Sequence, residues 1–422
     1  MRLLLTGFIL ALSSAFSASW AQGPLTPPPG SPGPVMRTLD EIEPRIPIDS
    51  VPITIDQPGS YFLTGNLDSG ANTAIAVLAP DVSLDLMGFT LSGTGANGIG
   101  VGSVPGATIR NGRISGFTHG IGLFRSKGAM IEGIQISGAD YGIKLESNAT
   151  GSQTKGNVIR NCVLASNHRG LYFFARNEGE VIGNRIIDTV IADNDRSGVE
   201  WQTLNGRIAN NVFTGCTVMD NGKSEFINVG GFYFRPNDGG EISDNRIENC
   251  AIVFNLARAI DFTSGNNVGV FNNQVVRGNS IHNHDNAGIF IGGSLFVGTI
   301  DGVQIEDNAF SWNGFNGGVR SIDADDAAIR NVNVANNVLA DNAANSTVLA
   351  NLAIYSDRGT VYGNHISGAS THGLRIDDAS RMVVAKNSVF GETLTITGDS
   401  TYGPIVETLP VPNNSWANFR LE

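Results

Sequence analysis

Acidic and phenolic side chains recur at one position of a repeated four-residue phrase. In each copy a small residue is followed by two apolar residues that flank one variable residue, as in Gly198-Val-Glu-Trp201 and Gly231-Phe-Tyr-Phe234. Three successive copies place Glu200, Tyr233 and Asp261 at the variable position. Carboxylates and phenols can exchange protons with a bound substrate, so this set predicts general acid–base chemistry.

The same phrase places basic and aromatic side chains on both sides of this set. Because the two apolar positions of a strand face the core, the variable position is expected to face outward and to form one row. Turn residues just ahead of the strand are expected to overhang that row. The candidate catalytic residues are Glu200, Tyr233, Asp261, Arg258 and His284, and the candidate substrate-binding residues are Lys144, Arg169, Tyr172, Arg196, Phe290 and Arg320.

Two reactions on a polysaccharide are compatible with these residues. In hydrolysis, Glu200 and Asp261 form the carboxylate pair; they lie two repeats apart, at about 10 Å, which fits the inverting mechanism better than the retaining one. In β-elimination from a uronate, a base removes the proton beside the sugar carboxylate while Arg169 and Arg196 neutralise that carboxylate. The candidate bases are His284, Tyr233, Arg258 and Lys144.

Charge separates these hypotheses only in part. The formal net charge of −12 and the pI of about 5.0 argue against nucleic acid as a partner, because phosphate binding needs a basic surface. The local cations nevertheless favour an anionic sugar, and therefore elimination over hydrolysis. A non-catalytic glycan-binding or envelope solenoid is the third hypothesis, because aromatic rings and shape can bind a glycan without any base.

The elements that carry these residues are predicted to be short strands. Further copies of the phrase begin at residues 98, 120, 142, 170, 259, 288, 318 and 373, and an interval of roughly 30 residues is typical of a solenoid. Apolar pairs alternate with Gly, Asn, Asp or Ser, which indicates strands and turns, and no segment of the body keeps a helical period. A coil of short strands buries its apolar side only against neighbouring coils, so the pattern predicts a parallel β-helix.

A second repeated phrase is built on asparagine, as at Asn157. We expect its amides to be structural, because stacked amides hydrogen-bond along the axis of a solenoid. Cys162, Cys216 and Cys250 each follow a repeated Asn at the same interval, and Thr189 fills that slot in another coil, which predicts an inward column of small residues. The distance would also allow a disulfide between Cys216 and Cys250, although an odd number of cysteines argues against a disulfide framework.

The N-terminal residues predict export. Residues 1–21 combine a positive charge, an apolar run and small residues, which is the pattern of a secretory signal. No other stretch is long and apolar enough to span a membrane, so a periplasmic or secreted location is expected. The predicted organisation after the signal is a Pro/Gly-rich linker at 22–36, an N-terminal cap and first coil at 37–97, the β-helix at 98–395 and a C-terminal cap at 396–422.

The coils and both end segments resemble a known superfamily. The opening Ile55-Asp-Gln-Pro-Gly-Ser-Tyr-Phe-Leu63 and the closing Tyr402-Gly-Pro-Ile-Val406 and Trp416-Ala-Asn418 are similar to segments of exported bacterial members of the pectate-lyase-like superfamily. The resemblance covers residues 50–420 and implies an all-β, single-domain, right-handed parallel β-helix with terminal caps. That superfamily includes polysaccharide lyases, glycoside hydrolases, uronate epimerases, tailspikes and non-enzymes, so the fold alone does not select an activity. The chain has no clean match to the site motifs of polygalacturonases, alginate epimerases or pectate lyases.

No cofactor is expected from these motifs. Asp323, Asp325 and Asp326 could hold Ca²⁺ through oxygen ligands, but a solvated acidic turn is the favoured interpretation. On an extended segment His282 and His284 would lie on one side, as a metal pair requires, although Asn- and His-rich turns are common in such coils. The expected partner is therefore a polysaccharide.

Overall fold

Short parallel strands occupy most of the described chain. A computed structural model describes residues 45–223, 230–264, 268–293, 298–314, 319–321, 328–342, 350–368, 372–376, 380–390, 393–403, 405–406 and 417–421. Within these segments all regular structure is β-strand, and strands pair in parallel with their counterparts one coil further along. The result is a right-handed parallel β-helix, which confirms the fold expected from the repeats. None of the described segments forms a helix that could cross a membrane.

One face of the solenoid is a 14-stranded parallel sheet that carries the candidate site. Its strands follow the order of the chain, because each coil contributes one of them. These strands are Ile53–Ile55, Thr73–Val77, Asn97–Val101, His119–Phe124, Tyr141–Ser147, Arg169–Arg176, Val199–Leu204, Phe232–Asn237, Ile260–Ser264, Ile289–Gly293, Val319–Ser321, Ala350–Ile354, His372–Ile376 and Thr393–Ile396.

The remaining strands belong to a 34-stranded sheet that forms the other faces of the coils. These strands are Ile46–Ile48, Gly59–Leu63, Leu67–Ser69, Val82–Asp85, Thr90–Gly93, Thr108–Ser115, Met130–Ser137, Gln153–Lys155, Val158–Arg160, Val163–Ala165, Glu180–Ile182, Arg185–Ile187, Val190–Ala192, Arg207–Ala209, Val212–Thr214, Thr217–Met219, Glu241–Ser243, Arg246–Glu248, Ala251–Val253, Val270–Asn272, Val275–Arg277, Ser280–His282, Thr299–Asp301, Gln304–Glu306, Ala309–Ser311, Ala328–Ala335, Val338–Ala340, Asp357–Tyr362, His365–Ser367, Ser380–Ala385, Ser388–Phe390, Thr401–Tyr402, Ile405–Val406 and Asn418–Leu421.

One coil departs from the repeated phrase. The strand Ala350–Ile354 has Asn351 where the phrase requires a small residue. The Asn351 side-chain oxygen accepts a hydrogen bond from the backbone N–H of Asn342 at 3.1 Å, so the larger residue is used by the structure. Ala353 consequently enters the outward row beside Arg375, in a coil that the phrase alone does not reveal.

A column of buried aromatic rings lies directly beneath the candidate site. Phe173, Trp201, Phe234 and Phe262 are fully buried, and neighbouring ring centroids are 5.2, 4.3 and 4.6 Å apart. Each buried ring contributes about 1.5–3 kcal/mol through removal of apolar area from water. Because these residues alternate with the outward row along the same strands, they hold the backbone under that row in place.

Buried amide side chains line three corners of the coils rather than one. In each column the side-chain oxygen of one Asn accepts hydrogen bonds from the backbone N–H, and often the amide group, of the Asn one coil earlier, as between Asn157 and Asn184. The structural role expected for the asparagines is confirmed. The repeated phrase, however, grouped asparagines that belong to two different columns. The columns are Asn157, Asn184, Asn211, Asn245 and Gln274; Asn167, Asn194, Asn221, Asn255, His284, Asn313 and Asn342; and Asn279, Asn308, Asn337, Asn364, Asn387 and Asn418.

The three cysteines lie at the same position of the coil as Asn279, the first residue of the third amide column. Strand pairing aligns Cys162, Thr189, Cys216 and Cys250 with Asn279 in successive coils. All three thiols are free and buried, which confirms the inward column of small residues. Cys216 and Cys250 are therefore not joined by a disulfide.

Candidate functional site

The outward row of the 14-stranded sheet has the register that the repeated phrase predicts. Adjacent members are one strand spacing apart, about 4.8 Å. Strand pairing aligns, coil by coil, Lys144, Tyr172, Glu200, Tyr233, Asp261, Phe290 and Arg320. The side chain of Arg320, and the whole of Asp323, Asp325 and Asp326, lie outside the described residues.

Glu200 is buried rather than exposed, because two arginines cover its carboxylate. The side chain is 1% exposed; Arg169 Nε donates to Glu200 Oε2 at 2.5 Å, and Arg196 Nε lies 3.6 Å from the same oxygen. The overhang expected of these two arginines is confirmed. The expected exposure of Glu200 is wrong, since alternation along a strand sets the direction of a side chain but not what lies above it.

Asp261 has a similar environment two coils further along. Arg258 Nη1 donates to Asp261 Oδ2 at 2.6 Å, and the Thr263 hydroxyl donates to Oδ1. Burial raises the pKa of Asp261 above its usual value, although Arg258 and Thr263 oppose the shift. The Arg258 guanidinium also lies 3.5 Å from the ring centroid of Phe290, so one cation connects the acid to the next aromatic residue of the row.

Tyr233 lies between the two buried acids and is only partly buried. Its strand partners are Glu200 on one side and Asp261 on the other. Burial raises the pKa of Tyr233, and the nearby charge of Asp261 raises it further. The phenol therefore keeps its proton at neutral pH and is equipped to donate a proton rather than to accept one.

Toward the N-terminus the row continues into an aromatic cluster. The rings of Tyr141 and Tyr172 stack at 4.8 Å, and those of Tyr172 and Phe174 stack at 5.5 Å. The Tyr172 hydroxyl donates to Gln202 Oε1 at 2.6 Å. Lys144 Nζ lies 5.6 Å from the ring centroids of both Tyr141 and Phe174. This end of the face thus combines a cation with stacked rings.

Sequence reasoning missed several polar and aromatic members of this face. Glu146 forms an ion pair with Lys144 at 2.8 Å. Phe174, Gln202 and Arg235 stand two positions after the row in their strands and pair in register with one another. The strand period of two places them on the same outer face. The four-residue phrase ended before these positions, so extending the alternation along each whole strand would have found them.

His284 does not reach this face. Its ring is buried in an asparagine column, where Nδ1 accepts a hydrogen bond from the backbone N–H of Asn255 at 3.2 Å and Nε2 donates to the carbonyl of Ile252 at 2.9 Å. Burial lowers the pKa of His284 to about 4. The expectation that His284 is a base beside the outward row is wrong, because the ring replaces an asparagine and both nitrogens bond to backbone.

His282 and His284 do not form a metal pair either. Asn283 between them has a left-handed backbone conformation with φ of 58°, so this segment turns instead of extending. The ring nitrogens of His282 bond to the hydroxyls of Ser280 and Ser311. In the part of the chain that the structure describes, no three His, Cys, Asp or Glu side chains come close enough to hold a metal.

Comparison with known proteins gives one partial family match. Residues 87–276, less than half of the chain, match the family model described as periplasmic copper-binding protein (NosD). Comparison with curated proteins gives no match.

Several solved structures resemble the chain at low identity. ORF18 of Geobacillus virus E2 is 14% identical with a TM-score of 0.47, and the match covers 65% of this chain and 54% of that one, so the chain spans about half of the viral protein. The Azotobacter vinelandii mannuronan C-5 epimerase AlgE4 A-module is 15% identical with a TM-score of 0.44, covering 82% and 91%. Pectate lyase Pel9A is 11% identical with a TM-score of 0.33, covering 85% and 68%. The strand pairing itself defines the class: the chain is a right-handed parallel β-helix repeat protein.

The described residues do not fit the copper that the family description names. Copper(I) favours thiolates, but the three cysteines are buried within the coils, and in the described part of the chain no three His, Cys, Asp or Glu side chains come together. The imidazole nitrogens of His284 are both used by backbone groups. We therefore derive no chemical step through copper.

Proposed function

We propose that the protein is exported and acts on an anionic, uronate-containing polysaccharide along the outer face of the 14-stranded sheet. The observation that carries the proposal is a local excess of cations in a chain whose formal net charge is −12. We call these cations the cationic strip: Lys144, Arg169, Arg176, Arg196, Arg235 and Arg258, accompanied by the acids Glu146, Glu200 and Asp261. Such a strip attracts an anionic polymer although the protein as a whole repels it.

Two arginines of the cationic strip are partly exposed at the outer face. The side chains of Arg196 and Arg258 are 18% and 15% exposed, and each also approaches an acid of the row. Guanidinium groups bind carboxylates through parallel N–H groups, so these two side chains are suited to a uronate carboxylate.

The proposed location follows from two independent indications. Residues 1–21 have the pattern of a secretory signal. The family model that matches residues 87–276 is described as periplasmic. Both support export to a compartment in which extracellular or envelope polysaccharides are accessible.

β-Elimination is the reaction that we propose for this site. Asp261, which adjoins Tyr233 in the row, would take the proton from the carbon beside the uronate carboxylate. A carbon–carbon double bond then forms, the bond to the glycosidic oxygen breaks, and that oxygen departs with a proton from Tyr233. Arg196 and Arg258 would neutralise the carboxylate as negative charge develops next to it. Tyr233, whose raised pKa keeps the phenol protonated, would deliver the proton to the departing oxygen.

Hydrolysis is the second candidate, because of the geometry of the two acids. Glu200 and Asp261 are two strand spacings apart, about 9.6 Å, near the upper limit of the inverting range. Burial raises the pKa of Asp261, which suits a general acid. Elimination is preferred because the cationic strip favours an anionic sugar over a neutral one. A glycan-binding solenoid without catalysis requires only the cations and the rings.

An assay of the purified protein on polygalacturonate and alginate, with neutral polymers alongside, distinguishes these functions. Elimination produces the ultraviolet absorbance of an unsaturated uronate, whereas hydrolysis produces reducing ends without that absorbance. We expect Tyr233→Phe to lose the absorbance signal but to retain binding, and Arg196→Gln to weaken uronate binding about 10-fold. Arg277→Gln is the matched control, because Arg277 forms an exposed ion pair with Glu306 on the 34-stranded sheet.

The alternative outcomes reassign the function. Equal uronate binding by Arg196→Gln and Arg277→Gln, or binding of neutral polymers alone, contradicts the proposal. Reducing ends without that absorbance, lost in Glu200→Gln or Asp261→Asn variants that remain folded, would move the assignment to hydrolysis. Uronate binding with neither product would identify a non-catalytic glycan-binding solenoid.

A further inference from the structure

Two large aromatic residues occupy the turns that lead into the 14-stranded sheet. The strands before these turns pair in register, so Phe254, Asn283 and Trp312 stack one above another in successive coils. All three have left-handed backbone conformations, with φ of 54°, 58° and 55°. The side chains of Phe254 and Trp312 are 51% and 62% exposed.

The same turn position holds short polar residues in other coils. The members with short polar side chains are Ser166, Asp193, Asp220, Asn283 and Asp341. Such side chains tolerate the left-handed conformation because they hydrogen-bond to nearby backbone, whereas a bulky residue there is strained. The fold requires the turn in each coil, because a buried residue of an amide column follows it. It does not require an aromatic ring at that turn.

Folding therefore does not account for these two rings. An exposed ring leaves apolar area in water, and the left-handed backbone adds strain, so both terms oppose Phe and Trp at this position. Residues that are kept in strained conformations commonly belong to binding sites. The rings also lie at the edge of the sheet that carries the cationic strip, since Phe254 and Arg258 belong to the same turn.

The spacing of the rings suits a saccharide chain. Phe254 and Trp312 are two coils apart, about 9.6 Å, which is near the disaccharide repeat of an extended pyranose chain. Asn283 lies between them, and Asp341 follows Trp312 one coil further along. Aromatic faces pack on sugar rings, and amide and carboxylate oxygens accept hydrogen bonds from sugar hydroxyls.

The charge of this column selects the class of sugar. Asp193, Asp220 and Asp341 make the column acidic, although Lys223 neutralises Asp193. Acidic side chains repel uronate carboxylates but accept hydrogen bonds from neutral sugars. We propose that Phe254 and Trp312 form a second saccharide-binding site, which takes a neutral pyranose chain and is separate from the cationic strip.

The test measures binding of neutral hexasaccharides, namely cello-, xylo-, manno- and laminarihexaose, by titration calorimetry and tryptophan fluorescence of the whole chain. Phe254→Asn and Trp312→Asn introduce a residue that the left-handed turn favours, so the solenoid should fold at least as well. We expect each variant to weaken binding about 10-fold and the double variant to abolish it. Trp312→Asn should also lose the fluorescence response.

Met87→Asn is the matched control, because Met87 is an exposed apolar residue with φ of 54° in another turn. It should leave saccharide binding unchanged. Arg196→Gln should likewise retain neutral hexasaccharide binding, which separates this site from the uronate function. No binding by the parent protein at millimolar saccharide would overturn the proposal, as would binding that survives the double variant. Self-association of the parent that the double variant abolishes would overturn it too, by assigning the rings to a protein interface.

Discussion

Each of the two sheets carries an ion pair between an arginine and a glutamate, but the two pairs differ in how far they are buried. On the 34-stranded sheet, Arg277 and Glu306 pair at 2.7 Å with side chains 44% and 27% exposed. On the 14-stranded sheet, Arg169 and Glu200 pair at 2.5 Å with side chains only 12% and 1% exposed. An exposed pair contributes about 0–1 kcal/mol, whereas a buried pair becomes strongly destabilising when one partner is removed. The 14-stranded sheet thus buries charges on a face that solvated polar residues could have covered, and this difference supports the proposal that it is the functional face.

The largest effect is expected from Glu200→Gln. Loss of this carboxylate leaves the guanidinium groups of Arg169 and Arg196 close together without their counter-charge. We expect the free energy of unfolding to fall by about 3–5 kcal/mol, measured by denaturant titration. Glu306→Gln on the other face should lower it by about 1 kcal/mol or less. Equal losses would show that the two faces do not differ in the way described.

His284→Asn, in an amide column at a corner of the coil, should have a smaller effect on the free energy of unfolding, and one of opposite sign. In the described structure His284 leaves the side-chain oxygen of Asn313 buried without a hydrogen-bond partner. Asparagine at 284 would restore the regular amide column, and we expect the free energy of unfolding to rise by about 1–2 kcal/mol. Lower stability in this variant would mean that packing of the imidazole ring outweighs the restored hydrogen bond.

The same histidine predicts how stability changes with pH. Burial lowers the pKa of His284 from 6.5 to about 4 in the folded chain. As pH falls, the unfolded chain binds this proton first, so the contribution is complete above about pH 6.5 and is lost as pH approaches 4. His284→Asn should flatten this part of the stability curve. Burial lowers the pKa of His119 to about 4 as well, so a residual slope should remain; superimposable curves for variant and parent would refute the assignment.

Tyr172→Phe should give the smallest measurable change. It removes the hydrogen bond to Gln202 on the 14-stranded sheet and should lower the free energy of unfolding by about 1 kcal/mol. Tyr402→Phe is the control on the other sheet, because Tyr402 is exposed and loss of its hydroxyl should not be detectable when both variants are compared by denaturant titration. A larger effect at Tyr402 than at Tyr172 would reverse the comparison between the faces.

Periodicity was sufficient to predict the architecture and the alignment of the row from Lys144 to Phe290. In a solenoid the register of each strand follows from the repeat itself, so no knowledge of distant contacts is needed. The same reasoning failed at Ala350–Ile354, because Asn351 occupies the position at which the phrase has a small residue. Recognition of the fold therefore depends on local patterns that single residues can obscure.

The electrostatics of the site could not be predicted in this way. The burial of Glu200 depends on Arg169, which comes from another coil and folds over the acid. His284 was misplaced because the left-handed turn at Asn283 sends its ring inward. Both errors concern side chains whose neighbours are distant in sequence, and one period of the repeat does not contain that information.

The amide columns change corner in the middle of the solenoid. The column from Asn157 ends at Gln274, and the column at the cysteine corner begins at Asn279. The remaining column, at its own corner, is interrupted between His284 and Asn313. Cooperativity in a repeat protein passes only between neighbouring coils. We expect this coupling to be weaker where one amide column ends and another begins. We therefore expect fraying from the C-terminal end to follow the column that begins at Asn279 and to stop near that residue, so that the C-terminal coils open while the coils that bear Glu200 stay closed.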